Sequence, residues 1–284
     1  MIRKITLEEA LENVSYAYNL ALDIKNSCYP GIYFNNINSQ KVFYDNVVSA
    51  AVNTEYFLFE QNNKKYGFIQ LYRIDEDKYI GITELLISRY YNKAITELIS
   101  YLHIYYNGYF LYYGFPINNK KALSYVISNK EWSLLDDTYH FELFLKNYEI
   151  KTISHKFVKI DKNNFNLFSS IHDYLSPDMY WDSTHIYNDL ENWNILVYID
   201  NFNITTHAIY YCVFQKEAEI YGIDYLENNM SCDIYKSLLN ASLNNMKLDN
   251  STKCVYFCEI TEQKLTKEAG FDLISHYRCY KVKI

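Results

Sequence analysis

A weak internal repeat constrains the fold of this 284-residue chain more than any other feature of its sequence. Three stretches of the first half resemble stretches of the second half: residues 3–6 with 158–161, 79–85 with 220–226, and 132–135 with 271–274. The pairs occur in the same order, and their separation stays close to half the chain. Such a repeat indicates a duplicated folding unit. We therefore predict two similar domains, residues 1–148 and residues 149–284.

Hydrophobic patterns predict the same order of secondary structure in both halves. The first half is predicted to contain a strand at 4–5, helices at 8–25 and 40–52, strands at 56–59, 66–74 and 79–88, a helix at 93–106, a strand at 109–113, a helix at 119–128 and a closing pair of strands within 134–145. The second half is predicted to contain strands at 195–199, 208–214 and 218–225, a helix at 233–246, a strand at 255–260, a helix at 263–268 and a final strand at 275–282. This order predicts an α/β fold in which each domain is a mixed sheet flanked by helices.

The composition is that of a packed globular protein, and it limits the classes of partner. The chain is 49% hydrophobic and 21% charged, and its net charge of −7 argues against nucleic acid, which usually selects a basic face. The long uncharged run 98–119 contains Gly108 and Pro116, which argue against a membrane span. The start of the chain has no apolar signal-peptide core, and the six Cys are consistent with reduced thiols. We expect a cytoplasmic protein without a membrane or nucleic-acid partner.

Residues 85–99 contain the clearest candidate for a ligand site. An apolar strand meets a basic turn with Arg89, Asn92 and Lys93, and a helical pattern follows from Ala94. A helix N-terminus presents backbone N–H groups to a phosphate, and basic side chains supply the countercharge. The turn lacks glycine, but Asn is the next most tolerant residue at positive φ. The alternative interpretation is an ordinary solvated strand–helix junction.

The order of elements and this turn resemble the GNAT superfamily of acyl-CoA-dependent N-acyltransferases, and two copies would make a tandem GNAT protein. The acyl-CoA loop of that family reads Arg or Gln, two residues, Gly, one residue, then Gly or Ala. Arg89 and Ala94 match the ends of this pattern, and Asn92 replaces the Gly. A second stretch of the family, with Asn, Ala and Tyr in that order, is matched by Asn119, Ala122 and Tyr125. The resemblance also implies a sheet that opens after the strands at 79–88 and 218–225.

The resemblance implies a role for individual residues of the first half. Acetyl-CoA is the expected acyl donor, and the residues implied to bind it are Leu86, Ile87, Arg89, Asn92, Lys93, Ala94 and Asn119. A carboxylate on the fourth strand serves as the base in this family, which implies Glu84, and Tyr125 would serve as the acid. The acceptor would be the primary amine of a small-molecule or peptide substrate. No metal is expected.

The second half departs from the family pattern at the corresponding loop. Residues 227–233 include Glu227 and Asp233 and no Lys or Arg, so this loop is expected to repel a pyrophosphate. Glu219 and Asp224 would stand in the place of Glu84. We therefore expect the acetyl-CoA site in the N-terminal domain and a degenerate phosphate loop in the C-terminal domain.

An aromatic segment of the second half also contains four potential metal ligands, which are His172, Asp173, Asp178 and His185. Their spacing matches no compact metal motif. The resemblance places this segment over the acceptor site, where Tyr180 and Trp181 would either contact an amine or pack in the core.

Two functions stay open at this point, and a further interpretation places the enzymatic activity in the second half, with an unconventional loop. The first is an N-acetyltransferase with its chemistry in the first half. The second is a catalytically inactive GNAT-like binding or regulatory protein, because the phosphate loops of both halves depart from the family pattern.

Overall fold

The computed structural model describes residues 1–23, 25–26, 39–48, 53–175, 180–214, 216–226 and 231–284. These residues form two compact units. The first unit consists of Met1–Thr138 together with Ser275–Ile284, and the second consists of Tyr139–Ile274. Among the helices in these ranges, none combines the length and the hydropathy needed to cross a membrane.

The elements of the N-terminal part follow the predicted order closely. They are β1 (Ile2–Ile5), α1 (Leu7–Glu12), α2 (Val14–Ala21), α3 (Ser39–Val48), β2 (Thr54–Gln61), β3 (Lys64–Ile74), β4 (Tyr79–Ile87), α4 (Tyr91–Tyr105), β5 (Phe110–Pro116), α5 (Lys120–Ser128) and β6 (Ser133–Phe144). The predicted helix 8–25 is divided at Asn13 into α1 and α2. Residues 49–52 of the predicted helix 40–52 lie outside the described residues.

The remaining elements repeat this order. They are β7 (Val158–Lys159), α6 (Asn166–Leu175), α7 (Ser183–Asn188), β8 (Trp193–Ile199), β9 (Thr205–Phe214), β10 (Glu217–Tyr225), α8 (Cys232–Leu248), β11 (Lys253–Cys258), α9 (Gln263–Glu268) and β12 (Asp272–Lys283). The helix predicted at 263–268 has the observed bounds of α9.

Each unit contains a mixed sheet, as predicted. The strand order is β1-β2-β3-β4-β5-β12 in the first unit and β6-β11-β10-β9-β8-β7 in the second. β4 and β5 are parallel, as are β10 and β11, whereas the other recorded pairings are antiparallel. Helices flank both faces of each sheet, as in an α/β fold.

The closing strands differ from the prediction. Residues 134–145 were expected to form a pair of strands that completes the first half, but they form the single strand β6, whose residues 139–144 pair with β11 in the second unit. Residues 277–283 of β12 pair instead with β5 in the first unit. The compact units therefore differ from the predicted contiguous domains 1–148 and 149–284. Side-chain alternation indicates the faces of a strand, whereas its partner is chosen by contacts distant in sequence.

Both sheets open between their parallel strands. β4 and β5 pair only from Tyr79 to Gly81, and β10 and β11 pair only from Glu217 to Ile220. A β-bulge precedes the free end of each strand, because the register with the preceding strand skips one residue of β4 and one of β10. These openings agree with the expected sheet geometry.

Each sheet is packed on both faces by apolar side chains. In the first unit, α4 and α5 cover the face that carries Phe57 and Leu85, and the helices α1–α3 cover the face that carries Leu58 and Leu86. In the second unit, one face packs against α8 and α9 and the other against α6 and α7. Burial of a large apolar side chain contributes about 1.5–3 kcal/mol to folding. These cores hold the free ends of β4 and β10 in place.

Candidate functional site

The predicted phosphate loop lies at the start of α4, but its backbone differs from the expectation. Arg89 is exposed, Tyr90 has a left-handed backbone with φ of 61°, and α4 begins at Tyr91. Asn92, expected at a position of positive φ, is instead in the first turn of the helix. The helix begins two residues earlier than predicted, and Tyr91 packs in the core beneath it. The N–H groups of this first turn have no acceptor within the helix.

The two basic residues of the loop have different surroundings. Arg89 is exposed to solvent. The Lys93 ammonium donates to Gln61 Oε1 at 3.1 Å, and Glu97 Oε1 lies 4.0 Å away on the next turn. Ala94, the last residue of the motif, is fully buried. Arg89 is therefore the more available countercharge, and Lys93 already interacts with a carboxylate.

A third cation, Lys121, was not identified from the sequence. It lies in the first turn of α5, and its ammonium donates to the carbonyl oxygens of Ile87 at 3.3 Å and Ser88 at 3.1 Å. It also donates to Asn26 Oδ1 at 3.0 Å. The signal available in the sequence was its position two residues after Asn119, in the second matched stretch. Lys121 places positive charge at the end of β4, beside the predicted loop.

The other residues expected to bind the acyl donor have structural contacts. Leu86 and Ile87 are buried in the cores on opposite faces of the sheet, so only their backbone groups are left to bind a ligand. Asn119 is fully buried, and its side chain caps α5 by accepting a hydrogen bond from the Ala122 N–H at 3.2 Å. Such a cap satisfies one of the unpaired N–H groups of the helix.

The predicted base and acid lie on opposite faces of the first sheet. Glu84 is 3% exposed, and its neighbour on the adjacent strand β3 is Gln70. It lies on the same face of the sheet as Leu86, beneath the helices α1–α3. Tyr125 is 9% exposed and packs in the opposite core, with its ring 6.4 Å from that of Tyr91. The structure therefore does not bring these two side chains together on one surface.

A pair of tyrosines occurs at the same place in both units and defines how the two halves correspond. The hydroxyl groups of Tyr91 and Tyr113 are 2.8 Å apart, and those of Tyr235 and Tyr256 are 3.3 Å apart. Each pair joins the helix after the open strand to the next strand of the sheet. When Tyr91 is aligned with Tyr235, Ser237 takes the position of Lys93.

No protein-family model matches the sequence, nor does any curated protein. Solved structures resemble it over nearly the full length. A GCN5-related N-acetyltransferase from Sphaerobacter thermophilus matches with a TM-score of 0.65 and 8% identity, over 99% of this chain and 94% of that one. A tandem GNAT protein from the clavulanic acid biosynthesis pathway matches with a TM-score of 0.60 and 8% identity, over 100% and 98%. A GNAT-family acetyltransferase from Colwellia psychrerythraea matches with a TM-score of 0.52 and 14% identity, over 100% of both chains.

The chain has a tandem GNAT fold. This agrees with the fold expected from the sequence. At these identities the likeness concerns the fold, and the chemistry has to be argued from the side chains.

Within the tandem GNAT fold, the loop of the second unit differs from that of the first. Residues 227–230, including Glu227, lie outside the described residues. Asp233 is in the first turn of α8, whose N-cap is Ser231. Ser237 is 5% exposed, and its hydroxyl lies 3.4 Å from that of Ser154. The position that corresponds to Lys93 is thus uncharged and covered by another part of the same unit.

The covering segment is the stretch that precedes β7. The Asn244 amide, on α8, donates to the Lys151 carbonyl at 2.8 Å and accepts from the Lys151 N–H at 3.0 Å. The Tyr148 hydroxyl also contacts Asn244 Oδ1 at 3.2 Å. With the Ser154–Ser237 contact, residues 148–154 follow the surface of α8 towards its N-terminal half.

Three of the four potential metal ligands of the aromatic segment lie in the described residues, and each has a separate partner. His172 contacts Asp224, Ser183 donates to Asp173, and His185 contacts Asp182, whereas Asp178 lies outside the described residues. In the part of the chain that the structure describes, no group of His, Cys, Asp or Glu side chains could hold a metal ion.

The two carboxylates expected to replace Glu84 are differently placed. Glu219 lies in the paired part of β10, opposite Val255, before the strands separate. Asp224 lies beyond the opening and is 7% exposed. It binds His172, a pairing that the sequence did not predict, because the two residues are far apart in the chain.

Proposed function

We propose that the N-terminal unit is an N-acetyltransferase that transfers an acetyl group from acetyl-CoA to a primary amine of a small-molecule or peptide substrate. The observation that carries the proposal is the open end of β4. There Arg89 and Lys93 flank the start of α4, and Lys121 of α5 donates to the carbonyl oxygens of Ile87 and Ser88 at the end of the strand. A helix N-terminus with several cations is a suitable environment for a pyrophosphate.

The residues of this unit fit an acyl-CoA better than those of the second unit. In the first unit the residue two positions after Tyr91 is Lys93, and Arg89 is exposed. In the second unit the equivalent position carries Ser237, covered by Ser154, and Asp233 adds a negative charge to the first turn of α8. A carboxylate at a phosphate site is repulsive, and at about 6 Å and an effective dielectric near 20 the repulsion is roughly 3 kcal/mol per pair of unit charges.

Acyl transfer to an amine requires a proton acceptor. The amine nitrogen forms a bond to the acetyl carbonyl carbon, the carbon–sulfur bond breaks, and CoA leaves as a thiolate that takes up a proton. The ammonium form of the substrate must lose its proton before the attack. Glu84 is our proposed base, directly or through water, because it is the buried carboxylate on β4 beyond the bulge. Tyr125 is proposed as the acid only through the family resemblance.

A second candidate function is supported by specific contacts. The carbonyl groups of Ile87 and Ser88 already accept hydrogen bonds from Lys121. Glu84 and Tyr125 lie on opposite faces of the sheet. Both features suit a GNAT-like protein that binds a ligand or a partner without transferring an acetyl group.

The proposed binding site is tested by charge reversal. We expect Arg89→Glu with Lys93→Glu to weaken acetyl-CoA binding at least a hundredfold in calorimetry, since each charge-assisted contact contributes roughly 1.5–3 kcal/mol. The matched control is Lys130→Glu with Lys162→Glu, which reverses two exposed lysines outside the proposed site. Equal binding by both double variants would exclude this loop as the phosphate site.

The two candidate functions are separated by turnover. Thiol release from acetyl-CoA in the presence of a panel of amines is expected for the enzyme, and Glu84→Gln should lower kcat by about 100-fold or more while acetyl-CoA still binds. Glu12→Gln, an exposed carboxylate on α1, is the control. Binding of acetyl-CoA without thiol release for any amine would favour the inactive protein.

A further inference from the structure

The second unit contains a fully buried histidine with an acceptor on each side of its ring. His172, on α6, is 0% exposed. Its Nδ1 lies 2.7 Å from Asp224 Oδ2 on β10, and its Nε2 lies 2.8 Å from the carbonyl oxygen of Trp181. Trp181 immediately precedes Asp182, the N-cap of α7. One imidazole therefore links α6, β10 and the entry to α7.

The two contacts together determine how many protons the site holds. A carbonyl oxygen only accepts, so Nε2 must carry a hydrogen to bond to Trp181. An ionised carboxylate also only accepts, so Nδ1 must carry a second hydrogen, unless Asp224 itself is protonated. In either arrangement the His172–Asp224 pair contains one proton more than a neutral imidazole beside a carboxylate. Loss of that proton leaves two facing lone pairs at one of the two contacts.

The neighbouring groups support retention of this proton. Burial alone would lower the pKa of His172, but the hydrogen bond and charge of Asp224, the contact with the Trp181 backbone and the charge of Asp173 together raise it above 6.5. The Tyr210 ring, on β9, meets the imidazole edge to face at 4.9 Å, and burial raises the pKa of its hydroxyl, so this group stays neutral. Glu262 interacts electrostatically with Asp224, and burial raises the pKa of Glu262 to about 7.

We propose that the His172–Asp224 pair is a proton-operated latch that holds the Trp181 segment against α6 and β10 and releases it at alkaline pH. Release breaks the Nε2 contact to Trp181, because the remaining hydrogen bonds more strongly to the Asp224 carboxylate than to a neutral carbonyl oxygen. The indole of Trp181 packs 5.2 Å from that of Trp193, so its environment changes when the segment moves.

The latch also joins two walls of a cavity of about 410 Å³ in the second unit. Ile171, on α6, and Leu226, after β10, line this cavity. They lie next to His172 and two residues after Asp224, respectively. The cavity should therefore keep this link between its walls when the latch opens, because release breaks the contact to Trp181 and retains the contact to Asp224.

The decisive variant is Asp224→Asn. An asparagine amide donates to Nδ1 of a neutral imidazole, while Nε2–H still donates to Trp181, so both contacts persist without the extra proton. We expect hydrogen exchange of residues 180–188 in the wild type, corrected for the intrinsic rate, to rise about tenfold per pH unit above the midpoint. In Asp224→Asn this rise should be absent between pH 6 and 10.

Two controls make the result specific. His185→Gln changes the other histidine of this segment, which contacts Asp182, and should keep the wild-type transition. Glu262→Gln should move the midpoint without removing the transition. The imidazole carbon resonances of His172 in the wild type provide a measurement that needs no variant, and they should titrate above pH 6.5.

The proposal is overturned if Asp224→Asn shows the same rise as the wild type, if the wild type shows none up to pH 10, or if His172 titrates at or below pH 6.5.

Discussion

The hydroxyl groups of Tyr91 and Tyr113 lie 2.8 Å apart, immediately beside the point where β4 and β5 separate. The bond joins the start of α4 to β5 and so holds the helix N-terminus at the open end of the sheet. Tyr235 and Tyr256 make the equivalent contact at 3.3 Å in the second unit. The repeat thus preserves an interaction that positions the helix, although the residues that precede the two helices differ in charge.

Removal of both hydroxyl groups of the first pair should cost less stability than the sum of removing each one alone. A single Tyr91→Phe or Tyr113→Phe change leaves a buried hydroxyl without this partner, and we expect a loss of about 1–3 kcal/mol in the free energy of unfolding. The double variant should lose less than the sum of the single variants. Urea unfolding of the four proteins measures this coupling. Tyr90→Phe, at an exposed position of the same turn, is the control, and additive losses would contradict the prediction.

The pairing of β12 with β5 can be tested at Gly114. A Cβ on this residue would lie 1.5 Å from the Tyr277 hydroxyl, on the strand that completes the first unit. We expect Gly114→Ala to lower the free energy of unfolding by about 1–3 kcal/mol through overpacking. In the Gly114→Ala background, Tyr277→Ala should lower the free energy of unfolding by less than it does in the wild type. A Gly114→Ala protein as stable as the wild type would argue against this strand pairing.

The buried carboxyl group of Glu262 should make stability depend on pH. Burial raises its pKa from 4.5 to about 7, although the Tyr256 hydroxyl donates to it at 2.8 Å. A raised carboxyl pKa means that the contribution to stability is complete below pH 4.5 and is lost as the pH rises through 7. We expect wild type to lose about 3 kcal/mol relative to Glu262→Gln over this range.

Unfolding in urea at several pH values measures this difference. The exposed Glu191→Gln variant should follow the wild type. Parallel curves for wild type and Glu262→Gln would show that folding does not raise the pKa of this carboxyl group.

We also expect at most one acetyl-CoA molecule per chain, bound beside the first turn of α4. The corresponding position of the second unit is Ser237, which residues 148–154 cover, and Asp233 repels a phosphate. Calorimetric stoichiometry and crystals soaked with CoA test this expectation. Electron density for CoA in the second unit alone would reverse the proposed roles of the two units.

The local elements and the fold class could be predicted from the sequence because they depend on side-chain periodicity. The bounds of α9 agree with the prediction, and both parallel strand pairs separate where expected. The basic turn with Arg89 and Lys93 was also visible as a motif. For the helix bounds and the basic turn the necessary information lies within a few neighbouring residues, whereas the opening of the sheets was expected from the family resemblance.

The tertiary structure decided what depends on residues far apart in the chain. β6 and β12 have the predicted strand character, but only the packed structure assigns β6 to β11 and β12 to β5. The contacts of Lys121 with the end of β4, and of His172 with Asp224, likewise join separate elements. A sequence pattern specifies which face of an element is buried. The partner buried against that face is selected by the free energy of the whole fold, because strand pairing and buried hydrogen bonds are satisfied only when distant segments meet.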